Sequence, residues 1–170
     1  MDFLYHCQKC LTEWRTFKGR ATRAEFWSFH AMLFVIMISL FIGYFTMLSA
    51  LGISVGQTFQ QPVMTAYMTL ATALLIFLFV ASVSVTIRRL HDRNRSGNWY
   101  LIYATLSVSQ SAYAELAPAT GPAILLGAAL AALVLLATLI GLVMMCLPGT
   151  DGVNNFGADP RRPIDLNVFA

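Results

Sequence analysis

Charge is scarce in this chain. Its 170 residues include 11 Lys or Arg and 8 Asp or Glu, so charged side chains make up 11% of the sequence, against roughly a quarter in ordinary soluble domains. With 58% hydrophobic residues and a mean hydropathy of +0.67, that shortage excludes the surface of a water-soluble globule. Cysteine is nearly absent as well. Cys7, Cys10 and Cys146 are too few and too scattered for a disulfide framework. The P-loop, the dinucleotide fingerprint, the HExxH zinc motif and the nucleophile elbow are all missing, and with them the common readable signs of catalysis. No Lys or Arg occurs at positions 24–87 or 96–160.

What fills those gaps is apolar. Residues 26–50 contain no charged side chain, and 25 residues at about 1.5 Å each span a hydrocarbon core of roughly 30 Å with some tilt. The run starts too late and is too long for a signal-peptide core, so it reads as an anchor. Thr22 and Glu25 stand in capping-box register before it and define its start. An uncharged loop with Gly52, Gly56 and several Gln follows, and Pro62 suits the first turn of a second helix over 63–87. That helix is expected to end in a polar turn, residues 88–98, before Trp99 and Tyr100 return to the interface. A third run, 99–117, places Tyr100, Tyr103, Ser107, Gln110, Ser111 and Ala114 on one face, which suits a polar stripe buried against other helices. Pro118, Gly121 and Pro122 make a turn, and the fourth run, 123–147, carries small-xxx-small pairs at Gly127/Ala131, Ala128/Ala132 and Ala137/Gly141. Residues 2–15 form an amphipathic interfacial helix, with Phe3, Cys7, Cys10, Leu11 and Trp14 on the apolar face and Asp2, His6, Lys9, Thr12 and Glu13 on the other.

The expected fold is therefore all-α: a single polytopic membrane domain of four transmembrane helices, preceded by the short interfacial helix and followed by a tail over 148–170. Four crossings put the N-terminus, residues 88–95 and the tail on one side. All eleven basic residues then face the cytoplasm, as the positive-inside rule requires. A net charge of +3 distributed in this way marks orientation and is no nucleic-acid footprint.

Three motifs carry a resemblance. Phe17-Lys18-Gly19-Arg20-Ala21-Thr22-Arg23-Ala24-Glu25-Phe26-Trp27 resembles the opening motif of a bacterial inner-membrane family known as domain of unknown function 805. Arg88-Arg89-Leu90-His91-Asp92, with Ser96-Gly97-Asn98-Trp99, resembles its central motif. Leu147-Pro148-Gly149-Thr150, then Gly152, Asn154, Phe156-Gly157 and Asp159-Pro160, resembles its closing one. The resemblance covers almost the whole chain. It implies a small polytopic protein of the bacterial inner membrane and supplies no catalytic residue.

The sharpest candidate binding site joins the first two motifs at one membrane face: Arg20, Arg23, Glu25, Arg88, Arg89, His91, Asp92 and Arg93. Guanidinium forks suit phosphate oxygens, so an anionic phospholipid headgroup is one candidate ligand. An ion-paired network that pins the chain together is the alternative. Adjacent His91 and Asp92 do not aim at one reacting atom, and no nucleophile stands near them, so no catalytic residue is assigned. His6, Cys7 and Cys10 lack a second CxxC and do not make a metal site, and the two thiols, on the apolar helix face, read as buried small hydrophobes. Asp151, Asn154, Asn155 and Asp159 lack the alternating ligands of a calcium loop and read as turn chemistry. Neither metal nor cofactor is expected. His30 in the first run lacks an intramembrane carboxylate for a proton relay. The expected function is a non-enzymatic accessory or scaffolding component. It would bind a protein partner or anionic lipid, or a second copy through the small residues of the fourth helix. An anionic-ligand binder or transporter component is the alternative, followed by a membrane enzyme acting on a lipid headgroup.

Overall fold

The computed structural model describes residues 3–116 and 120–162. Among them are five α-helices: α1 (Phe3–Thr12), α2 (Arg23–Leu51), α3 (Pro62–Asp92), α4 (Asn98–Leu116) and α5 (Gly121–Cys146). A 3-10 helix, Val55–Gln60, interrupts the segment expected to be plain loop. It is locked where Thr58 Oγ1 donates to Val55 O at 2.8 Å and lies 3.1 Å from Tyr44 Oη. No strand forms among the described residues, only an isolated bridge between Asn154 and Gly157. Asp2, Pro118 and the last part of the tail, residues 163–170, lie outside the described residues. Three helices, α2, α3 and α5, are long and apolar enough to cross a membrane.

The residues group into two compact units, Met1–Thr16 with Ala24–Val85, and Phe17–Arg23 with Thr86–Ala170. In the first, α2 and the greater part of α3 run antiparallel. Tyr67 Oη donates to Leu40 O at 2.5 Å, while Ser82 Oγ lies 3.2 Å from His30 Nε2, so rising positions on one helix meet falling positions on the other. His30 Nδ1 donates to Phe26 O, one turn back, at 2.8 Å. These hydroxyl and imidazole groups spend their polarity on backbone and on each other, as an apolar surround demands.

α1 packs on the start of α2. Cys7 and Cys10 are buried, their thiols directed to Ser28 O and Glu25 O at 3.4 and 3.8 Å. Burial pushes the Cys7 thiol up from its ordinary value, which disfavours the thiolate. The amphipathic assignment needs one correction. His6, expected on the polar face, is buried, while Phe3 is half exposed, and it is Cys7 and Cys10 that meet α2.

In the second unit α4 packs against α5. A Cβ on Gly127 would lie 3.3 Å from the Tyr113 ring, and Tyr113 Oη donates to Ala123 O at 3.0 Å. The polar stripe expected to be buried on α4 is not. Tyr100, Ser107 and Gln110 are half-buried, Tyr103, Ser111 and Ala114 are exposed, and no α4 residue is fully buried. One neighbouring helix covers only part of a helix circumference, and Ser107 and Ser111 satisfy their hydroxyls on Tyr103 O and Ser107 O instead.

Candidate functional site

α3 does not yield to a turn at residue 88. It continues through Asp92, so Arg88, Arg89, His91 and Asp92 occupy its last turns. Arginine and leucine are good helix formers, and a built stop follows them. Asn94 adopts φ 55, Arg95 N–H donates to Leu90 O at 2.9 Å, and Asn94 N–H donates to His91 O at 2.9 Å. That paired 6→1 and 5→2 bonding is a Schellman closure with asparagine in the left-handed position. The helical register places Arg89 and Asp92 three residues apart on one face.

Arg89 is fully buried, with side-chain exposure of 0%, and its Nη1 bonds Asp92 Oδ2. Arg20, brought in by the segment before α2, puts its Nε and Nη2 each 2.9 Å from Asp92 Oδ1. One buried carboxylate is thus shared by two buried guanidiniums. Asp159, also buried, adds a second negative charge 3.9 Å from Arg20 Nη2. Such pairing is what lets ionised groups remain away from water.

The remaining guanidinium donors go to backbone carbonyls. Arg20 donates from Nη1 to Gly152 O at 2.6 Å and from Nη2 to Thr150 O at 2.5 Å. Arg89 donates to Met145 O at 3.3 and 3.2 Å, and to Leu147 O. Arg23 donates to Cys146 O at 3.4 Å and Arg93 to Pro148 O at 2.7 Å. Arg89 and Arg23 therefore bond carbonyls that the end of α5 leaves without intrahelical partners, where the helix dipole also favours positive charge, and Arg93 bonds the next carbonyl beyond the helix.

The tail closes over this end. Thr150 N–H donates to Asp92 O at 2.8 Å, and Asn154 Nδ2 donates to His91 O at 2.9 Å. The His91 ring stacks on Phe156 at 4.0 Å with only 5° between planes. Its Nδ1 lies 3.1 Å from Gly19 O, and because a carbonyl only accepts, Nδ1 carries the proton. Gly149 passes so close to α3 that a Cβ there would land on the Asp92 carboxylate. Arg161 grips Asp159 with Nε and Nη2 at 2.9 and 2.8 Å, and Asp151 Oδ1 at 2.9 Å. Those Arg161 donors hold the Asp159 carboxyl well below the usual carboxylate range.

Of the sequence-derived candidates, Arg20, Arg23, Arg89, His91, Asp92 and Arg93 take part directly in this cap. Arg88 is buried beside them, its carbonyl accepting Ala21 N–H at 3.0 Å. Glu25 belongs to the other unit, where Lys9 Nζ lies 3.1 Å from its Oε1. Thr150, Asn154, Asp159 and Arg161 were not among the candidates, although the first three stand in the closing motif. Among the described residues no three His, Cys, Asp or Glu side chains gather as a metal centre would need.

Apolar helices of membrane-crossing length, with charged groups withdrawn into an arginine–carboxylate cap, define a helical membrane protein. More narrowly, the chain belongs to the family described as "Protein of unknown function (DUF805)", whose match spans residues 14–158. It is similar to inner membrane protein YhaI of Escherichia coli K12, 28% identical over 145 residues, covering 85% of this chain and 86% of that one. It is likewise similar to inner membrane protein YhaH of the same strain, 28% identical over 153 residues, covering 90% and 93%. None of these descriptions names an enzymatic activity. No solved structure matches the chain.

Proposed function

We propose that this protein is a non-enzymatic accessory or scaffolding component of the bacterial inner membrane, with its cap as the docking face for a protein partner or anionic phospholipid. The observation that carries this reading is how fully Arg20 and Arg89 are engaged within the cap. Arg20 and Arg89 commit their donors to Asp92 and to backbone carbonyls, which suits a rigid platform better than a reaction centre. The reading takes the chain as one membrane domain with four crossings. α4, at 19 residues, is about 28 Å long and returns the Ser107 and Ser111 hydroxyls to its own carbonyls. With α4 crossing, N-terminus, cap and tail all lie in the cytoplasm, and α1 lies along the membrane surface. Small residues on α5, among them Ala128, Ala131 and Ala132, are exposed and suit contact with a second membrane protein or copy.

Mild extraction from native membranes, with identification of bound proteins and lipids, tests the proposal. A protein or anionic lipid recovered in fixed proportion is the expected result. A monomer carrying neither would overturn it. A C-terminal reporter should respond as cytoplasmic, and a periplasmic response would overturn the four-crossing topology.

A further inference from the structure

Positive and negative charge are spent unequally in the second unit. Asp92 and Asp159 are buried under Arg20, Arg89 and Arg161, and the surface carboxylate Asp151 is held by Arg161. Glu115 stands in the last turn of α4, about 24 Å along the helix axis from Trp99. The cap thus turns its carboxylates onto its own cations. Lys18 and Arg95 are exposed and meet no carboxylate among the described residues. Each has an aromatic neighbour in the chain. Phe17, beside Lys18, is 42% exposed, and Trp99, four residues after Arg95, is 51% exposed. Both pairs flank the same structural point, the last turn of α3. Gly19 O lies 3.1 Å from His91 Nδ1, and Arg95 N–H reaches Leu90 O at 2.9 Å.

From this division of charge we infer that Lys18 and Arg95, with Phe17 and Trp99, form a binding surface for anionic phospholipid headgroups, and that buried Arg20 and Arg89 do not. The assignment deepens the proposed function and rests on its placing of the cap at the cytoplasmic leaflet. Aromatic rings settle at headgroup depth while flexible cations beside them reach phosphodiester oxygens. A fully buried guanidinium whose donors are taken by carbonyls has nothing left to offer a lipid.

Native mass spectrometry of the full-length protein, with phosphatidylethanolamine and phosphatidylglycerol supplied together, reads this directly. The wild type should retain phosphatidylglycerol preferentially. Lys18→Gln with Arg95→Gln should lower that preference by about thirtyfold at low salt, about fivefold for each cation removed, with the melting temperature unchanged. Arg162→Gln, the loss of one exposed cation that is not part of the surface, should leave the preference in place, with no fivefold loss of its own. Equal retention by the double variant and the wild type would overturn the assignment, as would equal loss from Arg162→Gln. A periplasmic C-terminal reporter would instead overturn the topology beneath it, so the two failures are distinguishable.

Discussion

The two units tie side chains to backbone carbonyls in an apolar setting, and do so with different chemistry. The first uses small neutral donors. Ser84 Oγ donates to Glu13 O and Thr16 O at 3.2 and 2.7 Å, the Cys7 and Cys10 thiols face α2 carbonyls, and Tyr67 reaches Leu40 O. The second uses guanidiniums, each spanning several carbonyls and a shared carboxylate. A hydroxyl serves one or two neighbours and costs little to bury once bonded. A guanidinium gathers residues far apart in sequence, but only while its charge is matched. The first arrangement should fail locally when disturbed, the second as a whole.

The largest test removes the match. Asp92→Ala leaves Arg20 and Arg89 buried without their shared counter-charge, and thermal unfolding in detergent should show a loss of about 3–5 kcal/mol. Arg89→Met with Asp92→Leu should recover part of that loss. If Asp92→Ala cost no more than a single neutral hydrogen bond, the contrast would collapse. Next comes Gly149→Ala, which drives a methyl group into the Asp92 carboxylate and should cost about 1–3 kcal/mol. Gly141→Ala, where a Cβ meets nothing within 4 Å, is the matched control and should be close to neutral. In the first unit, Ser84→Ala should cost about 1 kcal/mol and leave the cap intact by limited proteolysis.

Acid provides the smallest effect. A carboxyl depressed on folding contributes stability above its unfolded value, near 4, and loses it only as pH falls through the folded value. Asp159 is depressed by its Arg161 bonds, so amide exchange across residues 150–161 should stay slow at pH 4 and quicken only under stronger acid. Exchange that does not quicken at any acid pH would show that Asp159 gains no stability from the Arg161 clasp.

Much of the helical plan was legible because its causes are local. Uninterrupted apolar runs mark α2, α3 and α5, Pro62 marks the start of α3, and Thr22 stands directly before the first residue of α2. The cap was legible only in its donors. Arginines announce themselves in a sequence, but most of their acceptors are carbonyls of Met145, Cys146, Leu147, Pro148, Thr150 and Gly152, which any residue type would supply. Glu25 shows the same limit from the other side. Its nearness in sequence to Arg20 and Arg23 suggested one cluster, whereas α1 brings Lys9 to it. Arg88 to Asp92 read as a turn because they are polar, and the Schellman closure that ends α3 depends on the φ of Asn94.

Arg89 carries a consequence for how the protein is made. Apart from Asp92, the acceptors of Arg89 lie in residues 145–147 and the carbonyls bonded by Arg20 in residues 150–157, so those are absent when α3 first leaves the ribosome. During synthesis two cations wait beside one carboxylate for the last helix and the tail to arrive. Completion of the cap is therefore a chemical report that α5 is in place. A chain interrupted before residue 145 leaves those arginines without the carbonyls that shelter them.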